Sequence, residues 1–369
     1  MNDKFNTENE DNMEKEKKSK IKKILVNLTI FILLIILTFS LVLKDQDVSQ
    51  IFSVAAKVKK QYILFAVLAM SIYILGEAVN ITRILKELGE KSKLISNIRY
   101  TLIGFFFSAI TPAASGGQPM EIYYMHKDDI SVANSTLALL MQLCSLQIVT
   151  ITVGIISAVI HFEVLKSGLI YLLILGIILN SSALMLLIIA IFSKRLSEGL
   201  IKFVVKLLKF FRIPNVEKKQ EKLEKELESY QTSAKYIKEH KILMLKTVIT
   251  TVVQMIAYYS VPYWIYLAFG LTEYNIFEIL TLQAVLYATV SGIPSPGAVG
   301  VSEGGFLGIF KNVFPETIIS SAMLLTRGAN FYLFIIISAI IVMISTFREK
   351  RIEKKQMQET EVLTEKSEK

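Results

Sequence analysis

Ile24 to Leu43 is a predominantly apolar run of 20 residues, and the chain returns to such runs again and again. About 20 residues in a helix cover the hydrocarbon of a bilayer. A chain that repeats this pattern cannot bury it all in a soluble core. The bulk composition agrees, with 53% of 369 residues apolar against about 45–50% in soluble domains. Backbone in lipid must satisfy its own hydrogen bonds, so the expected class is an all-α, polytopic integral membrane protein. The first run exceeds a signal-peptide core and has no small-x-small cleavage site, so it reads as a retained helix.

The net charge is +9 and gathers in the tails and in a lysine-rich block at 194–241. These basic stretches flank apolar runs, which the positive-inside rule explains more simply than nucleic-acid binding. No nucleic-acid partner is expected. Cys144 is the only cysteine, and His126, His161 and His240 are far apart, so neither a disulfide nor a metal site is expected. No phosphate-binding loop, H-E-x-x-H or G-x-S-x-G occurs. No cofactor and no catalytic group is assigned.

The further runs are 62–81, 132–160, 168–192, 242–269 and 318–346, with shorter apolar stretches at 94–110 and 276–293. The chain divides into a tail at 1–23, a membrane domain at 24–347 and a tail at 348–369. Within 194–241, Ile201, Val204, Val205 and Leu208 share one helical face, as in a helix lying in the membrane interface. A cytosolic extension of the preceding span fits equally. Leu223, Leu227, Tyr230, Ala234 and Ile237 follow at heptad spacing and predict a helix that packs on a neighbour. The basic regions, both tails included, are placed in the cytoplasm at the cell membrane.

That placement requires an even number of crossings between successive basic blocks. The long runs already supply it, so the short stretches must enter and return. Two of them turn at proline and glycine: "SAITPAASGGQPME" from Ser108 to Glu121, and "SGIPSPGAVGVSE" from Ser291 to Glu303. Each opens Ser-small-Ile and reaches a glutamate 13 or 12 residues on. The count makes them re-entrant hairpins entering from opposite sides, an inverted repeat among about 6–8 transmembrane helices. Paired interruptions of this kind point to a transporter's binding site.

Candidate binding residues follow. A carboxylate at membrane depth costs about 2.5–3.5 kcal/mol and therefore faces a cavity or a partner, which singles out Glu121 and Glu303. Each can instead cap a helix at the interface. Arg327, beside Asn330, needs an anion, either a lipid phosphate or a glutamate, unless it snorkels to the interface. Gly116, Gly117, Gly297 and Gly300, with Pro112, Pro294 and Pro296, shape the turns and expose backbone amides that can hold an anion. Arg83 reads as an interfacial anchor with Glu77 as its pairing partner. Gln142, Gln147, Gln254 and Gln283 read as interhelical hydrogen-bonding groups. Tyr258, Tyr259, Tyr263, Trp264 and Tyr266 read as an interface belt.

"TPAASGGQPMEIYYMHK" and "IPSPGAVGVSEGGF" resemble the two signature regions of the lysylphosphatidylglycerol synthase transmembrane family, the flippase-like integral membrane proteins. The likeness extends over residues 20–347. It departs where the family's pattern Pro-x-Pro-Gly-Gly-x-Gly-x-x-Glu has a second glycine and this chain has Ala298. Alanine is small, so little is put in doubt. Full-length synthases of this kind carry a soluble aminoacyl-transferase domain, whereas this chain runs only 22 residues past its last span. The resemblance therefore implies a flippase half that moves a phospholipid, aminoacylated or otherwise polar-headed, between leaflets. The family name offers a rival, a phosphatidylglycerol lysyltransferase conferring cationic-peptide resistance. A third reading is a membrane scaffold partnering a separate lipid-modifying synthase. A homo-oligomer is compatible with all three.

Overall fold

A computed structural model of the chain describes residues 53–111, 114–160, 169–193, 216–293 and 295–348, with isolated positions at Thr29 and between 195 and 206. The 24–43 run apart from Thr29, the 201–209 amphipathic stretch apart from Lys202, Val205 and Lys206, most of both tails, His161, Pro112 and Pro294 lie outside them.

The described residues are helical without strands. In chain order they are α1 (Lys60–Glu87), α2 (Leu94–Ile110), α3 (Gly117–Lys127), α4 (Val132–Ile160), α5 (Leu169–Phe192), α6 (Val216–Glu239), α7 (Lys241–Ala268), α8 (Ile276–Val290), α9 (Val301–Ile309) and α10 (Ile319–Arg348). Five of them, α1, α4, α5, α7 and α10, are long and apolar enough to cross a membrane. At 1.5 Å per residue the 28 residues of α1 run about 42 Å, more than a bilayer core. The 17 of α2 and 15 of α8 reach only about 25 and 22 Å.

These long helices keep large apolar side chains on their outer faces: Leu64, Leu68 and Ile72 on α1, Tyr171 and Ile178 on α5, Ile242, Leu245 and Ile249 on α7, Ile336 and Ile340 on α10. A soluble monomer does not expose apolar stripes on this scale, whereas lipid covers them. The chain is an all-α, multi-pass membrane protein.

α1 and α7 pack antiparallel along their length. Arg83 bonds the Lys246 carbonyl and Thr250 near one end, and the Lys59 amide bonds the Ala268 carbonyl at the other. Between them Asn80 bonds Gln142, Thr251 and the Thr247 carbonyl, and Gln142 bonds Gln254. This buried amide layer ties α1, α4 and α7 together, as expected for Gln142 and Gln254.

α2 and α3 form one helical hairpin. Its base is held by Arg99 and Tyr100, both bonded to Asp128, and by Asn97 bonded to Thr82 and Ser92. Those partners lie at the Glu87 end of α1. α8 and α9 form the other hairpin. Its base carries Tyr274, whose hydroxyl donates to the Asn312 carbonyl, and Tyr266, which accepts from the Glu273 amide. Tyr266 is near the Ala268 end of α7, beside Lys59. The two hairpins thus enter from opposite ends of the bundle, as the crossing count requires.

α6 closes the Glu87 end. Ala234 and Ile237, at the predicted heptad positions, are buried, and Leu223, Leu227 and Tyr230 are half-buried. Ser233 bonds Asn134, and Tyr230 donates to the Ala190 carbonyl.

Candidate functional site

The tips of the hairpins meet. The 3-10 turn Pro296–Ala298 of the second packs against α2 of the first. Between them lies a cavity of about 290 Å³. Met70 and Tyr73 form one wall, and they sit halfway along α1, so the cavity is near the middle of the bundle. Ser108 and Ala114 of the first hairpin and Ser291, Ser295 and Ser302 of the second supply polar groups. Tyr258, Tyr287, Phe331 and Arg327 complete the lining.

Arg327 and Glu303 form an ion pair, with Nε to carboxylate oxygen at 2.7 Å. Glu303 is fully buried and Arg327 nearly so. The other Glu303 oxygen accepts the Gly300 amide at 2.7 Å, and the Tyr332 hydroxyl donates at 3.2 Å to the oxygen that Arg327 holds. Arg327 also donates to the Gly297 carbonyl at 3.0 Å and lies 4.0 Å over the Phe331 ring. Every hydrogen-bonding need of the carboxylate is therefore met inside the protein. Glu303 has the partner that a carboxylate at membrane depth needs, and it caps a helix from a fully buried position rather than at the interface. It reaches back to the first turn of α9 as an N-terminal cap, and it neutralises an arginine.

Backbone geometry explains how this cluster closes. Gly297 has φ +60°, and a Cβ there would lie 2.2 Å from the Phe331 ring. Gly300 has φ +88°, which turns its amide onto Glu303. On α10 a π-turn at Gly328–Tyr332 follows Arg327. Its wider turn brings residues 331 and 332 onto the face of residue 327, so that both rings reach the guanidinium.

The first hairpin carries the other predicted residues. Gly116 donates to the Thr111 hydroxyl at 2.9 Å, and a Cβ on Gly117 would strike Ser108 Oγ. Glu121 is buried at 3% exposure, and its Oε2 has no hydrogen-bond partner. It leans on α2 where Gly104 leaves room, since a Cβ there would lie 2.0 Å from Glu121 Oε1.

Of the predicted site residues, Gly297 and Arg327 line the cavity. Glu303 and Gly300 stand behind Arg327 and hold it. Pro296 opens the turn at the tip. Gly116, Gly117 and Glu121 shape the first hairpin without lining the cavity, and Pro112 and Pro294 are outside the described residues.

Two expectations need correction. Arg83 does not pair with Glu77. Six residues along a helix turn the two away from each other, and Arg83 bonds Asn80, Thr250 and the Lys246 carbonyl. The tyrosines of α7 do not form an interface belt. Tyr259 and Tyr266 are buried and Tyr258 lines the cavity, leaving Tyr263 and Trp264 partly exposed. On α9, Gly304 faces open space. The glycine against α8 is Gly305, where a Cβ would lie 2.6 Å from Leu286. Residues missed by sequence reasoning are Tyr73, Tyr287 and Glu77, which is half-buried on α1. Glu77 carried a signal, a carboxylate inside an apolar span, but pairing it with Arg83 explained that signal away.

The model of a family described as the lysylphosphatidylglycerol synthase TM region matches residues 24–338. No curated protein matches the chain.

Proposed function

The chain belongs to the lysylphosphatidylglycerol synthase transmembrane family, and from that premise we propose that it moves a polar-headed phospholipid between bilayer leaflets. The observation that carries this reading is the mid-bundle cavity where two oppositely entering hairpins meet, with Arg327 in its wall. A head group needs an aqueous or polar site at the depth where acyl chains would otherwise exclude it. Opposed broken helices are the recurrent way to build one.

Arg327 is the anchor for the lipid phosphate. Glu303 and the Gly297 carbonyl hold two edges of the guanidinium, which fixes its plane. The serines at the two tips, Ser291, Ser295 and Ser302, offer hydroxyls to the remaining phosphate or glycerol oxygens. The pair Arg327–Glu303 has no net charge, so an arriving anion adds one charge to the site and an aminoacylated zwitterion adds none. In this reading the Glu87 end faces the cytoplasm of the cell membrane, because the lysine-rich block packs there.

The test is a leaflet-resolved assay in proteoliposomes holding fluorescent phosphatidylglycerol, with the outer leaflet bleached by a membrane-impermeant reductant. Wild type is expected to expose inner-leaflet probe to bleaching, and Arg327→Gln to slow that by about tenfold, one phosphate contact's worth of transition-state stabilisation. Equal rates in protein-free vesicles, wild type and variant would refute the reading.

A further inference from the structure

Two carboxyl groups, half-buried Glu77 and buried Glu121, stand outside the ion pair. Glu77 follows Tyr73 by one turn on the face of α1 that forms the cavity wall. Gly104 precedes Ser108 by one turn on the cavity face of α2, and Glu121 leans against it. Both carboxyls therefore sit one helical turn beyond the cavity, toward the Glu87 end. α1 packs against α2, which brings the two carboxyls to the same region. Neither makes a salt bridge, and Glu121 leaves an oxygen without a partner while 97% of the residue is out of water.

A buried and a half-buried carboxylate beside one cavity resist ionising together, because each lacks full hydration and repels the other. The groups that face them are uncharged. Tyr73 stands one turn before Glu77 on α1, and Tyr287 of α8 lines the same cavity. α7 brings Gln254 against Gly76, and α2 brings Thr101, whose hydroxyl is also buried without a partner. α10 commits its arginine to Glu303. No lysine, arginine or histidine among the described residues bonds either carboxyl, so a small cation is what the site lacks.

We infer that Glu77 and Glu121 together hold one exchangeable proton at the Glu87 side of the cavity, and that lipid movement through the cavity is coupled to its binding and release. The coupling rests on the lipid-translocation reading; the proton site does not. The proton comes from water on the Glu87 side and is bound as carboxyl O–H, so the pair passes between one and two protons with no covalent change.

The test uses the purified full chain in lipid nanodiscs. Infrared difference spectra between mildly alkaline and mildly acidic samples should show a carboxyl C=O band that shifts in D2O, is indifferent to added sodium, and is lost in both Glu77→Gln and Glu121→Gln. Gly104→Ala, which displaces Glu121 while keeping both carboxyls, should shift the band. Absence of the band in wild type overturns the proton site without reference to any variant. A band abolished by sodium overturns it in favour of a metal cation. In the leaflet assay, an imposed pH gradient should change the wild-type rate several-fold and leave Glu121→Gln unaffected. A wild-type rate blind to the gradient overturns the coupling. If no lipid moves at all while the band behaves as expected, the proton site stands and the lipid reading falls.

Discussion

Ala298 has φ +52°, in the left-handed region that glycine occupies without cost. It stands where the pattern of the family carries glycine, so the departure noted in the sequence is a strained one. Ala114 in the first tip has φ +53°, and the two tips thus share a left-handed alanine at similar places. Ala298→Gly should raise stability by about 1 kcal/mol, measurable as a higher thermal midpoint in detergent. At Arg327 the sign reverses. Arg327→Met leaves Glu303 buried and unpaired, at a cost of about 3–5 kcal/mol, while the double variant with Glu303→Gln should recover most of it. Equal destabilisation by single and double variants would show that the pair is not the source. The need for a partner at Arg327 was legible from one charge in an apolar run. Which glutamate answered was not, because 24 residues and a change of helix separate the two.

At the scale of elements, the π-turn sets what α10 can present. Deleting Gly328 turns Gly328–Tyr332 into an ordinary helical turn and rotates Tyr332 by about 100°. Tyr332 should then lose Glu303 and the cluster about 1–3 kcal/mol, with transport reduced and helix content unchanged by circular dichroism. Nothing in the residues announces such a turn, since Gly, Ala and Asn are ordinary in a helix. The seam between α5 and α8 is similar. Gly176 lies where a Cβ would be 2.3 Å from the Ala288 carbonyl oxygen, and Asn180 donates to that same carbonyl. Gly176→Val should force the second hairpin outward at about 1–3 kcal/mol, read as early unfolding of the Trp264 fluorescence signal. The apolar pattern marks α5 as a span but not which face meets protein. Lipid and a protein neighbour select the same residues, and only the close backbone contact tells them apart.

At the scale of the molecule, the crossing count and the turn residues were enough to place two hairpins on opposite sides. Length and charge are properties of the chain itself, so they can be read without neighbours. The cavity could not be read in this way, because its walls come from six helices whose rotation is set by packing. The opposed hairpins have a direct check. With Cys144→Ser as background, Lys91→Cys and Glu273→Cys, both exposed, should react with an impermeant thiol reagent from opposite faces of sealed vesicles. Labelling from one face would break the arrangement.

The Glu303–Arg327 pair also bears on how the chain is made. Glu303 emerges from the ribosome well before Arg327, and until α10 follows, the second hairpin holds an ionised group with nothing to neutralise it. Lipid rejects such a segment. The hairpin can therefore settle only once α10 is threaded beside it, so the insertion of α10 is also the step that brings Arg327 into the wall of the cavity.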